Sequence, residues 1–254
     1  MKIIETESYD EMSAVASKIV IEAVNKKPAS VLGLATGSTP LGLYKRLVEA
    51  YKMNLLNTSL FCGVNLDEYV GLGKEHSLSY HHYMFCNLYK HIGMDDSRIH
   101  IPNGLAEDLV QECADYDAKI QRLGGIDLQV LGTGANGHIG FNEPADYFTK
   151  NSHVANLHEN TRSMNARFFE NVQQVPNCAI TIGIGAIMNA KSILILASGC
   201  EKTEAINKAF YGKITPQVPA SILQLHSNVT LIADKKALAG GICRIPRRGE
   251  LNEE

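Results

Sequence analysis

The chain has 254 residues and a formal net charge of −3, with lysine and arginine scattered rather than gathered in a stripe, so nucleic acid is not an expected partner. The length suits one large α/β domain, expected over residues 1–243 with a polar tail at 244–254, because no linker or low-complexity run divides it. No run approaches the ~18 apolar residues of a membrane span, and Met1 to Thr6 lacks the apolar core of a signal peptide, so a cytoplasmic protein away from membranes is expected.

A short strand is expected at Lys2–Thr6. From Tyr9 to Asn25, the residues Met12, Val15, Ala16, Ile19, Val20, Ala23 and Val24 recur at spacings of three and four, the period of a helix packed on a sheet. Pro28 closes that helix, and Val31–Ala35 is a short apolar run of the kind a buried parallel strand shows. Thr36, Gly37, Ser38, Thr39 and Pro40 then turn into a helix over Leu41–Tyr51, with Pro40 suited to its first position and Ser38 or Thr39 to its cap. Backbone N–H groups and hydroxyls at such a turn favour a phosphate, although Walker spacing is missing and a plain capped turn has the same residues.

The third strand, Leu60–Leu66, runs into Asp67 and Glu68. Strand side chains alternate, so these two acids are expected to point in opposite directions, one toward a cleft and one into the structure. They are not expected to share a proton. The alternative is a pair of solvated acids capping a turn. A helix over Leu78–His91 carries His81 and His82, which as sequence neighbours make a poor metal pair and read as surface or interface groups. A clearer helix, Ala106–Leu123, is stopped by Gly124 and Gly125.

The apolar run Ile126–Leu131 feeds the stretch Gly132 to Pro144, with four glycines in nine positions and His138, Asn136, Asn142 and Glu143 among or just after them. The glycines let a ligand approach the backbone, and His138, with Glu143 and Asn136 to orient it, has the parts of a proton-transfer device. A tight connection holding a satisfied histidine is the alternative. Residues 145–176, with Arg162 and Arg167 and a weak strand pattern, read as a helix-containing lid over this loop. Strands are then expected at Cys178–Ile184, Ser192–Ala197 and Val229–Ala233. Lys202, in the first turn of a helix ending at Phe210, opposes the macrodipole unless an anion binds there. Together these elements predict an α/β fold with an open, mostly parallel, doubly wound, Rossmann-like sheet and helices on both faces. Six cysteines without a Cys-x-x-Cys pair read as free thiols of a reducing compartment.

Three strand-end blocks, Ala35–Pro40, Asn65–Gly71 and Gly132–Pro144, in this order closely resemble the glucosamine-6-phosphate deaminase family, and Thr161–Phe169 with Gln224–His226 extend the likeness over about residues 1–240. The resemblance implies conversion of α-D-glucosamine 6-phosphate and water to fructose 6-phosphate and ammonium, without a metal or organic cofactor. It makes His138 the ring-opening acid/base, Glu143 and Asn136 its orienting groups, and Asp67 the base that moves a proton from C2 to C1. It assigns the phosphate to Thr36, Gly37, Ser38 and Thr39 with Arg167 and Lys202.

Two departures from the family pattern stand out. Asn136 occupies a place where some members carry Asp, which leaves His138 more reliant on Glu143. Basic residues used by hexameric, N-acetylglucosamine 6-phosphate-activated members are replaced by His153 and Ala155, and the tail is shorter, which argues against that activation. Whether the chain acts as a monomer or a homo-oligomer is left open by the sequence. The competing expectations are a 6-phosphogluconolactonase-like hydrolase, which shares the fold, and a non-catalytic sugar-phosphate sensor; the Asp67–Gly71 block favours the deaminase over the first, and the complete acid/base set favours it over the second.

Overall fold

The structure is a computed structural model that describes residues 1–166, 169 and 171–239. Strand β1 (Lys2–Thr6) passes through Ser8, whose hydroxyl accepts from the Glu11 N–H, into helix α1 (Tyr9–Lys26). Strand β2 (Val31–Leu34) leads to α2 (Leu41–Lys52), and β3 (Cys62–Asn65) is followed after one residue by β4 (Asp67–Tyr69). Ser79 caps α3 (Tyr80–Asn87), and β5 (Ile99–His100) precedes α4 (Leu109–Arg122), whose cap Asp108 accepts from the Val110 and Gln111 N–H groups. Then come β6 (Leu128–Gly132), β7 (His153–Asn156), α5 (Glu159–Asn165), β8 (Cys178–Thr181) and α6 (Ile184–Met188). They are followed by β9 (Ile193–Ala197), α7 (Thr203–Tyr211), β10 (Val229–Asp234) and α8 (Lys235–Leu238).

Seven strands form one parallel sheet in the order β1-β10-β9-β6-β2-β3-β5. Every residue of β2 and β9 is buried, as expected where helices cover both faces. The two-residue alternation divides each strand between two cores. Leu32, Leu194 and Leu196 pack with Met12, Ala16 and Val20 of α1 and Leu43, Tyr44 and Leu47 of α2. Val31, Ile193 and Ile195 face the other way, onto Tyr116 and Ile120 of α4 and Ile206 and Phe210 of α7. The expected doubly wound α/β architecture is therefore present. The chain changes winding direction between the paired strands β2 and β6: β3 and β5 lie on one side, and β9, β10 and β1 on the other.

A second, three-stranded antiparallel sheet, β4-β8-β7, differs from the sequence expectation. Cys178–Thr181 does not continue the parallel sheet; its partners are Asp67–Tyr69 and His153–Asn156. Apolar runs this short specify burial but not which edge they pair with. The region 145–176 accordingly contains a strand as well as helix α5. The Leu78–His91 helix is also shorter than expected, ending at Asn87, with Leu88 (φ −138°, ψ −67°) separating it from a 3₁₀ turn at Tyr89–His91. Arg167, Phe168, Cys243 and the tail 244–254 lie outside the described residues.

Glu68 ties the small sheet to α3. Its buried carboxylate accepts from the backbone N–H groups of Tyr69, Tyr80 and His81, each at 2.9 Å, two of them at the helix N-terminus where donors are otherwise orphaned. Glu68→Ala leaves those donors buried without an acceptor and is expected to destabilise the fold by about 2–3 kcal/mol, read as a lower midpoint in a denaturant titration.

Candidate active site

Four adjacent parallel strands, β3, β2, β6 and β9, send their exit loops to one end of the sheet, where they line an open cleft. The crevice outside the strand ends, at the change of winding, is where a sheet of this type offers backbone N–H groups to a ligand. Thr36, Gly37, Ser38 and Thr39 line it from β2, Asp67 from just beyond β3, His138 from the loop after β6, and Lys202 from the turn after β9. Residues far apart in sequence thus meet only because their strands are neighbours.

The β2 exit loop is held from outside by tyrosines. The hydroxyls of Tyr9 and Tyr83 donate to the Ser38 and Gly37 carbonyls at 3.0 and 2.5 Å, and Tyr44 donates to the Ala35 carbonyl. In a trans peptide the N–H points opposite to the C=O, so the N–H groups of Thr36, Ser38 and Thr39 are turned away from those tyrosines. The expected hydroxyl cap is not formed: Pro40 itself is the N-cap residue of α2, with no side-chain cap bond. Lys202 differs slightly from expectation too, standing as the N-cap residue of α7 at the end of a 3₁₀ turn. Asp234 fixes that turn by accepting from Ser198 Oγ at 2.5 Å and from the Gly199 N–H at 3.1 Å.

The glycine loop is shaped by its histidine. A Cβ on Gly134 would lie 2.2 Å from the His138 ring, so only glycine lets the imidazole fold back against the loop. Gly140 (φ +57°) has Asp67 and Thr181 within 3.5 Å of where a Cβ would stand, which brings the loop against the β4 carboxylate. Behind His138, Glu143 Oε2 lies 3.6 Å from Nδ1 and accepts from Asn136 Nδ2 at 2.8 Å, while Asn136 Oδ1 accepts the His138 N–H at 3.2 Å. Burial alone would raise the Glu143 carboxyl, but the His138 imidazole, with hydrogen bonds from Thr161 and Asn136, overcomes this and brings it to about 2. An ionised carboxylate beside Nδ1 favours the tautomer with its proton on Nδ1, freeing Nε2 for proton exchange.

The strand alternation separates the two acids as expected. Asp67 faces the cleft and Glu68 faces α3. Asp67 is 5% exposed, its Oδ1 has no hydrogen-bond partner among the described residues, and burial together with the Glu68 charge pushes it up to about 8. Such a carboxyl keeps its proton up to about neutral pH, and its ionised form is a stronger base than an ordinary carboxylate and has unspent bonding capacity. Tyr80 and Tyr69, 4.7 Å apart between ring centroids, form an aromatic wall with Phe141 beside it.

Of the residues singled out from sequence, Asp67, His138, Lys202 and Thr36–Thr39 converge on the cleft, and Asn136 and Glu143 stand behind His138. Arg167 lies outside the described residues. Sequence reasoning missed Tyr80, Thr161 and Asn165 in the lining and the three tyrosines bracing the β2 loop. Thr161 and Asn165 fall within the Thr161–Phe169 block of the family likeness but carried no assigned role there, and nothing marked the tyrosines, since each arrives on a helix whose face is decided by packing. Among the described residues no three His, Cys, Asp or Glu side chains cluster as a metal site, and His81 and His82 contribute to none.

Residues 5–232 match the family described as glucosamine-6-phosphate isomerases/6-phosphogluconolactonase. The chain is 54% identical to a protein of Clostridium novyi named glucosamine-6-phosphate deaminase, over 93% of this chain and 98% of that one. It is 53% identical to the Oceanobacillus iheyensis protein of the same name, over 94% and 95%. A solved monomeric glucosamine-6-phosphate deaminase superposes with a TM-score of 0.92 at 45% identity, covering 94% of this chain and 99% of that one. The 6-phosphogluconolactonase of Trypanosoma cruzi, at 21% identity and a TM-score of 0.78, shares the fold. The chain therefore belongs to the glucosamine-6-phosphate isomerase/6-phosphogluconolactonase family.

Proposed function

We propose that the chain is a glucosamine-6-phosphate deaminase, converting glucosamine 6-phosphate and water to fructose 6-phosphate and ammonium. The observation that carries this reading is a buried, base-competent Asp67 in the same cleft as an imidazole oriented by Glu143 and Asn136. An aldose-to-ketose shift needs two proton-moving groups, one for ring opening and one for the C2–C1 transfer. The reading places the phosphate at the Thr36–Thr39 turn with Lys202 and Arg167, where N–H groups and a cation converge, so that the remote anion anchors the reacting end. His138 then moves a proton from the anomeric hydroxyl to the ring oxygen. Asp67 takes the C2 proton and returns it at C1 while a proton passes from the nitrogen to O1, which leaves a protonated imine at C2; water adds to that carbon and ammonia leaves, giving the C2 ketone. Tyr80 closes one wall of the cleft. A cytoplasmic site of action accords with this reading and with the free thiols of Cys62, Cys86, Cys113, Cys178 and Cys200.

The direct test is ammonia release from glucosamine 6-phosphate, with 6-phosphogluconolactone hydrolysis assayed in parallel. Ammonia with no lactone hydrolysis is expected, following hyperbolic kinetics unchanged by N-acetylglucosamine 6-phosphate. The reverse pattern would assign the hydrolase, and tight sugar-phosphate binding without turnover the sensor.

Asp67→Asn removes the base and keeps the shape, so kcat should fall by about 10²- to 10⁴-fold with little change in KM. Because the native carboxyl is pushed from 3.8 to about 8, the folded state holds that proton more tightly, and this acid's contribution to stability is lost as pH rises between those values. Asp67→Asn should therefore gain thermal stability over the parent progressively across that window and no further above it. A Tm difference independent of pH would contradict the assignment. Lys202→Ala should raise KM strongly while kcat changes less, and an unchanged KM would remove Lys202 from the phosphate site.

A further inference from the structure

Glu143 is 6% exposed, and its two oxygens have different neighbours. Oε2 accepts from Asn136 at 2.8 Å and lies between two imidazoles, His138 Nδ1 at 3.6 Å and His158 Nδ1 at 3.8 Å. The carboxylate thus has a second imidazole, that of the half-exposed His158, almost as near as the catalytic one. Oε1 accepts from Thr161 Oγ1 at 2.5 Å. A carboxylate is planar and turns about a single bond, so a hold on both oxygens fixes its direction.

We propose that Thr161 is a positioning residue for His138, acting through Glu143, an inference that rests on the acid/base role of His138 given above. Asn136 belongs to the same loop as His138, whereas Thr161 comes from α5, which also supplies Met164 and Asn165 to the wall of the cleft. The bond therefore ties the cleft wall made by α5 to the carboxylate behind His138. Without the hydroxyl, Glu143 keeps only the Asn136 bond on Oε2, and a carboxylate held at one oxygen instead of two can swing about that contact, which loosens the tautomer and orientation it imposes on the His138 ring. The same hydroxyl is one of the donors that hold the Glu143 carboxyl low, so its loss also makes that carboxyl easier to protonate. Among the described residues, the titratable groups within 4 Å of the Glu143 carboxylate are His138 and His158.

The test is the steady-state kinetics of Thr161→Val and Thr161→Ser against the parent. Valine keeps the branched shape and removes the donor; kcat should fall by about 10- to 100-fold with KM within about threefold, below the ~10²–10⁴ of an acid/base group itself. Serine should restore most of kcat. The acid limb of the rate profile should move to higher pH in the valine variant and not in the serine variant, which a merely structural role would not do. In a Glu143→Gln background, Thr161→Val should add little further loss. Near-parental kcat in Thr161→Val, additive losses in the double variant, or a proportionate rise in KM that serine does not repair would each overturn the proposal. If valine does not fold, Thr161→Ala is read in the same way; failure of both, with serine folding, would assign the hydroxyl to stability and overturn it equally. A parent that releases no ammonia would remove the deaminase reading and this inference together, whereas an active parent with an indifferent Thr161→Val removes the inference alone.

Discussion

The parallel pairing of β2 with β6 is the constraint on which the site depends. Parallel strands all end at the same edge of the sheet, and a doubly wound chain must leave two neighbouring strands in opposite directions at one place. The loops after β2 and β6 part there, and no element can fill the gap without breaking the winding. The glycine loop and the Thr36–Thr39 turn face each other across it, and the next strand on each side, β3 and β9, brings Asp67 and Lys202 to the rim. The apolar ladder of Val, Ile and Leu side chains supplies the stability, while the polar chemistry is confined to the one edge where backbone groups have no ladder partner.

Within that edge, three carboxyl groups experience different physics. Asp67 and Glu68 are adjacent and buried, and desolvation raises both, to about 8 and about 7, although Glu68 has three backbone donors to oppose the rise. Glu143 is nearly as buried, yet falls to about 2 because an imidazole and two hydrogen-bond donors surround it. Burial alone thus does not decide the protonation of a carboxyl; the balance between lost water and gained partners does. The consequence is a division of labour. One acid is left hungry for a proton in the cleft, one is tied to a helix N-terminus, and one remains charged behind a histidine.

The small antiparallel sheet gives that arrangement its rigidity. Strand β4 carries Asp67 and pairs with β8 at Thr181, whose hydroxyl accepts the Phe141 N–H at 3.1 Å, so the base and the glycine loop share one anchor. Strand β7 extends the same sheet, and Ala155 is buried within it, with His153 held near the Asn151 carbonyl at 3.0 Å. From β7 the chain passes directly to α5, so the helix that lines one wall of the cleft is continuous with the sheet that carries Asp67.

Much of this was legible in the sequence because it rests on local rules. Spacings of three and four marked α1, short apolar runs marked β2 and β9, and strand alternation sent Asp67 and Glu68 to opposite sides. The concentration of glycines around His138 marked a loop needing close approach, which Gly134 demonstrates against the imidazole ring. What the sequence could not decide was partnership at long range. The run Cys178–Thr181 is equally suited to either sheet, and only packing against β4 and β7 makes it antiparallel. The bracing of the β2 loop by Tyr9, Tyr44 and Tyr83, the cleft-facing side of Tyr80 and the bond from Thr161 to Glu143 were also invisible. A hydroxyl's meaning depends on which carbonyl or carboxylate lies within about 3 Å of it, and that distance is set by the packing of helices against the sheet rather than by any neighbour in the chain.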